Sequence, residues 1–241
     1  MVIRISPNRT FAFLIGVSLG LAGIHILGQV SRLVFGHGRL YGLVPLFNME
    51  EETNIPSLWS TCLWLGAGAL AGLIAYSARR GAGRDWPHWT GLAGIFCAFG
   101  MDETIQFHER MGGVVVNLLR MEGMRATGFL YYVWIIPALI FAIVVFFVYL
   151  RFLMRLPHTV MALMVLGGAV FIAGSVGFEL LEGPIDESGG YMNARYTAYV
   201  TFEESLEMIG VSILIFALLR YLADRTPPFE IIVSNGAPAT T

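Results

Sequence analysis

Residues 101–110 read MDETIQFHER, directly after the apolar run WTGLAGIFCAFG. Asp102, Glu103, His108 and Glu109 fall within eight positions. Ionised groups beside hydrocarbon are costly and mark function. Carboxylate oxygen with some imidazole nitrogen is a hard-to-borderline ligand set, suited to Zn, Fe, Mn, Mg or Ca rather than copper(I). Bound to such a set, a divalent metal ion would activate water or a lipid-soluble substrate. A carboxylate off the metal would then act as general base.

Three more acidic groups accompany this one. They are NMEEETNIPS (48–57), GFELLEGPIDE (177–187) and TFEESLEMIG (201–210). At about 100° per residue, Asp102 and Glu109 are nearly eclipsed if their helix is regular, while Glu103 and His108 point elsewhere. Glu179 and Glu182 are i,i+3 neighbours, as are Glu204 and Glu207, and Glu203 and Glu207 are i,i+4. Glu207 is the deepest acid of its segment. The expected metal ligands are Asp102, Glu109, Glu182 and Glu207, followed by His108 and Glu50. Each group also has a structural reading. Thr201 to Glu204 fits a T-x-x-E capping box. Asn54 with Pro56 fits a helix start, and Glu50 to Glu52 fit a solvated run before it. Arg32, Arg110 and Arg195 could neutralise the acids as ion pairs.

The elements that position these groups are membrane helices. The 241-residue chain is 56% hydrophobic and 13% charged, against about 25% charged in a soluble domain. A span needs about 20 mostly apolar residues. Six segments qualify: 11–34, 57–78, 88–108, 129–152, 158–181 and 200–222. The expected fold is all-α, a six-helix transmembrane bundle forming one domain over residues 1–226. A flexible cytoplasmic tail, 227–241, comes after it. The charged-then-apolar N-terminus lacks a cleavage-type site and reads as a retained first helix.

All fifteen basic residues are Arg. With six spans, Arg4, Arg9, Arg79, Arg80, Arg84, Arg151, Arg155, Arg220 and Arg225 share one side with both termini. The positive-inside rule makes that side cytoplasmic. Fourteen of the seventeen acids fall at the other end, a negative field that attracts cations. One layer fed from four helices is how bundle-core metal sites are assembled. The expected location is the bacterial inner (plasma) membrane, with the acidic pocket facing the periplasm.

On helix 1, Ser18, His25, Gln29 and Arg32 form a polar stripe that should face the bundle, with His25 a hydrogen-bonded packing residue. Glycines at 16 and 20, at 68 and 72, and from 167 to 177 would let helices approach closely. Cys62 and Cys97 lie in apolar runs without metal-type spacing. No basic stripe with interleaved aromatics supports nucleic-acid binding.

The order of motifs resembles that of an uncharacterised group of bacterial multi-pass membrane proteins. Its E-x-N-I-P-x-W/F-x-S helix start matches ETNIPSLWS (52–60). Its D-E-x4-H-E stretch matches Asp102 to Glu109, and its E-E-x-x-E-M matches Glu203 to Met208. The resemblance implies a membrane bundle and brings no activity with it. Ceramidase-like hydrolases and ferritin-like di-iron proteins do not match, since H-x-x-x-H in the last helix and E-x-x-H pairs are both missing. Three functions remain open: a divalent-cation site, as in a metal-dependent membrane enzyme; cation or proton translocation; and an accessory subunit whose acids form ion pairs. The expected partners are membrane lipid, with a lipid-soluble substrate or a membrane-protein partner.

Overall fold

The computed structural model describes residues 5–121, 126–190 and 193–224, without the side chains of Glu109 and Arg120. The expected tail at 227–241 lies outside these. The described residues are all-α, with no strand. In chain order the helices are α1 (Pro7–Phe35), α2 (Leu43–Leu46), α3 (Ile55–Arg80), α4 (Trp86–Ile105), α5 (Phe107–Met121), α6 (Ile135–Leu153), α7 (His158–Ile172), α8 (Glu179–Glu187) and α9 (Ala194–Ala223). A π-helical turn, Ala173–Phe178, joins α7 to α8 without a break.

Five helices are long and apolar enough to cross a membrane: α1, α3, α6, α9 and the continuous His158–Glu187 rod. That corrects the expected count of six. The segment expected at 88–108 is α4, which opens on Trp86-Pro-His-Trp89 and closes on Asp102 and Glu103. Those ends leave too short an apolar stretch between them. The other bounds shift for local reasons. Residues 128–130 form a 3-10 turn, so α6 starts only at Ile135. Asn193 caps α9 by accepting from the Tyr196 N–H, so α9 starts well before 200. Thr201 is therefore inside the helix, where its hydroxyl donates to the Thr197 carbonyl. The expected capping box at Thr201 to Glu204 does not form. The start of α3 is as expected: Asn54 accepts from Ser57 N–H, with Pro56 in the first turn.

α9 is the hub, packed by α7, α1, α3 and the π turn, and α3 pairs with α4. The five-residue link 81–85 makes α3 and α4 antiparallel, which returns the end of α4 to the start of α3. Trp64 stacks on Phe99 with centroids 4.8 Å apart and meets Phe171 edge-on at 4.9 Å. Phe96 lies 5.7 Å from Trp64. Aromatic pairs of this kind add about 0.5–1.5 kcal/mol each beyond area burial.

The polar stripe on α1 faces inward. His25 Nδ1 accepts the Met49 N–H at 3.0 Å, Gln29 donates to Asn48 at 2.6 Å, and Trp59 donates to Ser18 at 3.0 Å. His25, Gln29 and Ser18 are buried. His25 and Gln29 anchor the 47–54 loop against the bundle, and Ser18 holds Trp59 of α3.

Only some of the glycines serve close packing. A Cβ on Gly210 would lie 2.6 Å from Phe171 N and 2.8 Å from the Gly167 carbonyl, both backbone atoms, whereas Gly16 and Gly20 face nothing within 4 Å. Gly210→Ala should therefore destabilise by about 1–3 kcal/mol, as overpacking does. Gly20→Ala should be neutral or stabilising by up to about 1 kcal/mol. Thermal unfolding of the two variants in detergent checks this, and equal melting temperatures would contradict it.

Candidate functional site

The antiparallel pairing places Ser60, one turn into α3, against the end of α4. Ser60 Oγ donates to Glu103 Oε1 at 2.8 Å. The π turn does the same for the other pair of helices. A π turn inserts an extra residue, re-aims the side chains beyond it, and recurs at functional sites. Here it precedes Glu179 and rests directly on α9: a Cβ on Gly174 would lie 2.8 Å from the Glu203 carbonyl and 3.1 Å from Glu207 Cγ. Only a glycine allows that approach.

The result is one carboxyl layer. Glu204 lies within electrostatic reach of Glu103, Glu52, Glu182 and Glu179. Glu207 is within reach of Glu204, Glu103, Glu179 and Asp102. Glu203 senses Glu182, Glu179 and Glu207. The charges acting most on these three α9 residues are thus all carboxylates. Glu179 Oε1 accepts from Trp134 Nε1 at 2.9 Å.

Glu182 stands out within the layer. It is 2% exposed, and its Oε1 is buried with no hydrogen-bond donor directed to it. A buried carboxyl oxygen without a donor is costly.

The α4 helix breaks at Gln106, which takes a left-handed conformation at φ 53°, ψ 45°. The eclipsed geometry of Asp102 and Glu109 needs a regular helix and is lost at this break. Glu109's side chain lies outside the described part. Asp102 uses both oxygens on the far side of the break. Oδ1 accepts the His108 backbone N–H at 3.0 Å, and Oδ2 meets His108 Nδ1 at 2.7 Å. His108 also packs on Trp134, 4.9 Å away. Asp102 thus ties α5 to α4 at the rim of the layer.

Of the sequence-predicted residues, Glu182 and Glu207 lie in the layer and Asp102 with His108 at its rim. Glu50 sits in the 47–54 loop beside Arg32. Burial pushes the Glu50 carboxyl above its usual range; Arg32 opposes this, and Glu51 and Asp186 add to it. Glu52, Glu103, Glu179, Glu203 and Glu204 also belong to the layer. Their i,i+3 and i,i+4 spacing was the signal for the α8 and α9 members. Glu103 was obscured because its partner, Ser60, is 43 positions away. Among the described residues, no three His, Cys, Asp or Glu side chains stand at metal-binding separation.

Burial of the His108 ring opposes its charge, but the hydrogen bond and charge of Asp102 outweigh it, so its pKa is raised above the ordinary 6.5. A raised folded-state pKa stabilises fully below the unfolded value, and that stability disappears as pH rises through the folded value. The melting temperature should fall from about pH 6.5 upward, and His108→Gln should remove that part of the slope. An unchanged slope in His108→Gln would contradict the pairing.

The comparisons with curated proteins and with solved structures find no match. Residues 11–222, from α1 to the end of α9, match the family described as a domain of unknown function (DUF8692). That stretch contains the layer and all the helices that build it, and the chain belongs to the DUF8692 family.

Proposed function

We propose that this is a multi-pass membrane protein whose carboxyl layer takes up a divalent cation from the outer side. Its five apolar helices suggest a membrane protein. α4 runs along α3 from the 81–85 link to the Ser60–Glu103 bond. It therefore brings Asp102 and Glu103 to the end of α3 at which the layer forms. The opposite end, with Arg79, Arg80 and Arg84 around the α3–α4 link and Arg151 and Arg155 at the end of α6, would be the cytoplasmic side of a bacterial inner membrane. α5 then lies at the outer surface, with the layer opening beside it.

One observation carries the cation reading: Glu182, buried near the carboxyl groups of Glu203, Glu50 and Asp186, has an oxygen that no protein donor reaches. Crowded carboxyls need protons, Arg or cations to offset them. Glu182, Glu203, Glu204 and Glu207 are the residues that would hold the ion. Since they do not stand at coordination distance, their long side chains must turn inward as the ion arrives. Asp102 is committed to His108 and would stay outside the ligand set.

The layer has an apolar floor. Trp64 and Phe99 lie about one turn inward of Ser60 and Glu103 along α3 and α4, with Phe96 and Phe171 packed on Trp64. On α9, Met208, Val211, Leu214 and Leu218 are buried beyond Glu207. An apolar floor suits a binding pocket better than a path through the membrane. A bound divalent ion here would face substrates or partners arriving from the outer leaflet.

Protein purified without chelator should carry near-stoichiometric metal by mass spectrometry, or take it up from Zn2+, Mn2+ or Fe2+. Glu182→Gln and Glu207→Gln should each weaken retention by at least about tenfold, the smaller end of what even supporting residues contribute. Asp102→Asn should retain the metal. Folded wild-type protein that stays empty after loading would overturn the reading.

A further inference from the structure

A cavity of about 410 Å³ lies between α8, the start of α9 and the turn before α6. Pockets that hold ligands run from about 300 Å³ upward. Leu181, Pro184, Ile185 and Ser188 line it at i, i+3, i+4 and i+7, one face of α8 continued into its cap. Phe129 lines it from the turn and Arg195 from α9. Glu182 is about 100° round the helix from Leu181, so the cavity and the carboxyl layer use different faces of α8.

The rim of the cavity carries one charge of each sign. Arg195 is exposed and lies over the Tyr199 ring, donating to its hydroxyl at 3.1 and 3.2 Å. A guanidinium has five N–H donors, so others stay free. Among the described residues no carboxylate pairs with Arg195. Glu187, also exposed, is the acid at the rim. It precedes Ser188, and its Oε2 accepts the N–H of Gly128, the neighbour of Phe129, at 2.6 Å. It thus joins two segments of the wall, and a carboxylate accepts at both oxygens. Below Arg195 the surface turns apolar. Tyr199 and Phe202 follow it at i+4 and i+7 on α9. Phe178 stacks on Phe202 with centroids 5.8 Å apart and meets Tyr199 edge-on at 6.0 Å. Phe202 and Leu181 are exposed. This stripe reaches about 10 Å inward from Arg195, at about 1.5 Å per residue.

We propose that this cavity and the stripe beneath it bind one outer-leaflet phospholipid with a zwitterionic, ammonium-bearing headgroup. Arg195 takes the phosphate through charge-assisted hydrogen bonds, and the ammonium turns to Glu187. Pro184, Ile185 and Phe129 cover the glycerol, and an acyl chain runs over Leu181, Phe178 and Phe202. An interfacial Arg above an aromatic ring can by itself do no more than anchor a helix. The concave wall and the opposite charge across it are what single out a headgroup. An anionic headgroup would meet Glu187 with like charge, which a zwitterion avoids. The inference goes beyond the cation reading and does not need it; it rests only on the chain being a membrane protein.

The full chain in detergent is titrated with phosphatidylethanolamine and with phosphatidylglycerol, and bound copies are counted by native mass spectrometry. One phosphatidylethanolamine should be retained per chain at a concentration at which phosphatidylglycerol is lost. Arg195→Gln should weaken retention by about tenfold or more, the scale of a lost hydrogen bond to a charged group. Glu187→Gln should bring the two lipids to similar retention. Leu181→Trp, which fills the cavity and keeps both charges, should expel the lipid. Arg220→Gln, at the far end of α9, should change nothing. Equal retention of both lipids by the wild type, or unchanged retention in Arg195→Gln, would overturn the site. So would inorganic phosphate held through Arg195 with no lipid bound, which would make the cavity a site for the free anion. Metal content is read on the same samples. An empty carboxyl layer with the lipid retained loses the cation reading alone, and a loaded layer without lipid selectivity loses this site alone.

Discussion

A carboxyl group in apolar surroundings must be offset, and the acidic end of this bundle is organised by that requirement. Coulomb repulsion among like charges grows as the effective dielectric falls. Here Glu203, Glu204 and Glu207 sense mainly other carboxylates. Around them, three acids are met locally. Ser60 serves Glu103, Trp134 serves Glu179, and the His108 ring serves Asp102. Glu182, 2% exposed, keeps one buried oxygen to which no donor is directed.

Close backbone approach makes that concentration feasible. Gly167 and Gly210 let α7 and α9 touch, and Gly174 continues the contact into the π turn. In a membrane, helices gain little from hydrophobic transfer between them, so small residues and van der Waals packing decide where they meet. The π turn then rotates Glu179 and Glu182 onto α9. Without the extra residue, the i,i+3 pair would be set about 100° away. The same glycines that build the fold therefore fix the separation of the acids.

Much of this was legible in the sequence. Helices from apolar length, the inward polar stripe on α1, the Asn54 cap and a common depth for four acidic segments all come from local spacing. Three things did not. The break at Gln106 depends on Asp102 reaching forward to cap α5, a tertiary choice that periodicity treats as continuous helix. The early start of α9 depends on Asn193, whose capping signal competed with the T-x-x-E pattern at Thr201. The span expected at 88–108 failed on composition because Trp86-Pro-His-Trp89 and Asp102-Glu103 sit at the two ends of α4, which packs along α3. Local chemistry named the acids; the partners of Asp102 and Glu103 required knowing how the chain folds back.

The apolar floor limits what the layer is able to do. Below Glu207, the buried face of α9 is apolar, and the one hydroxyl there, Ser212, donates to its own helix at Met208. A charge held among the acids would find no polar side chain on that face to carry it toward the far end of the helix, and burying it there unpaired is costly. Acids gathered above an apolar floor suit a pocket open at one end better than a relay through the bundle.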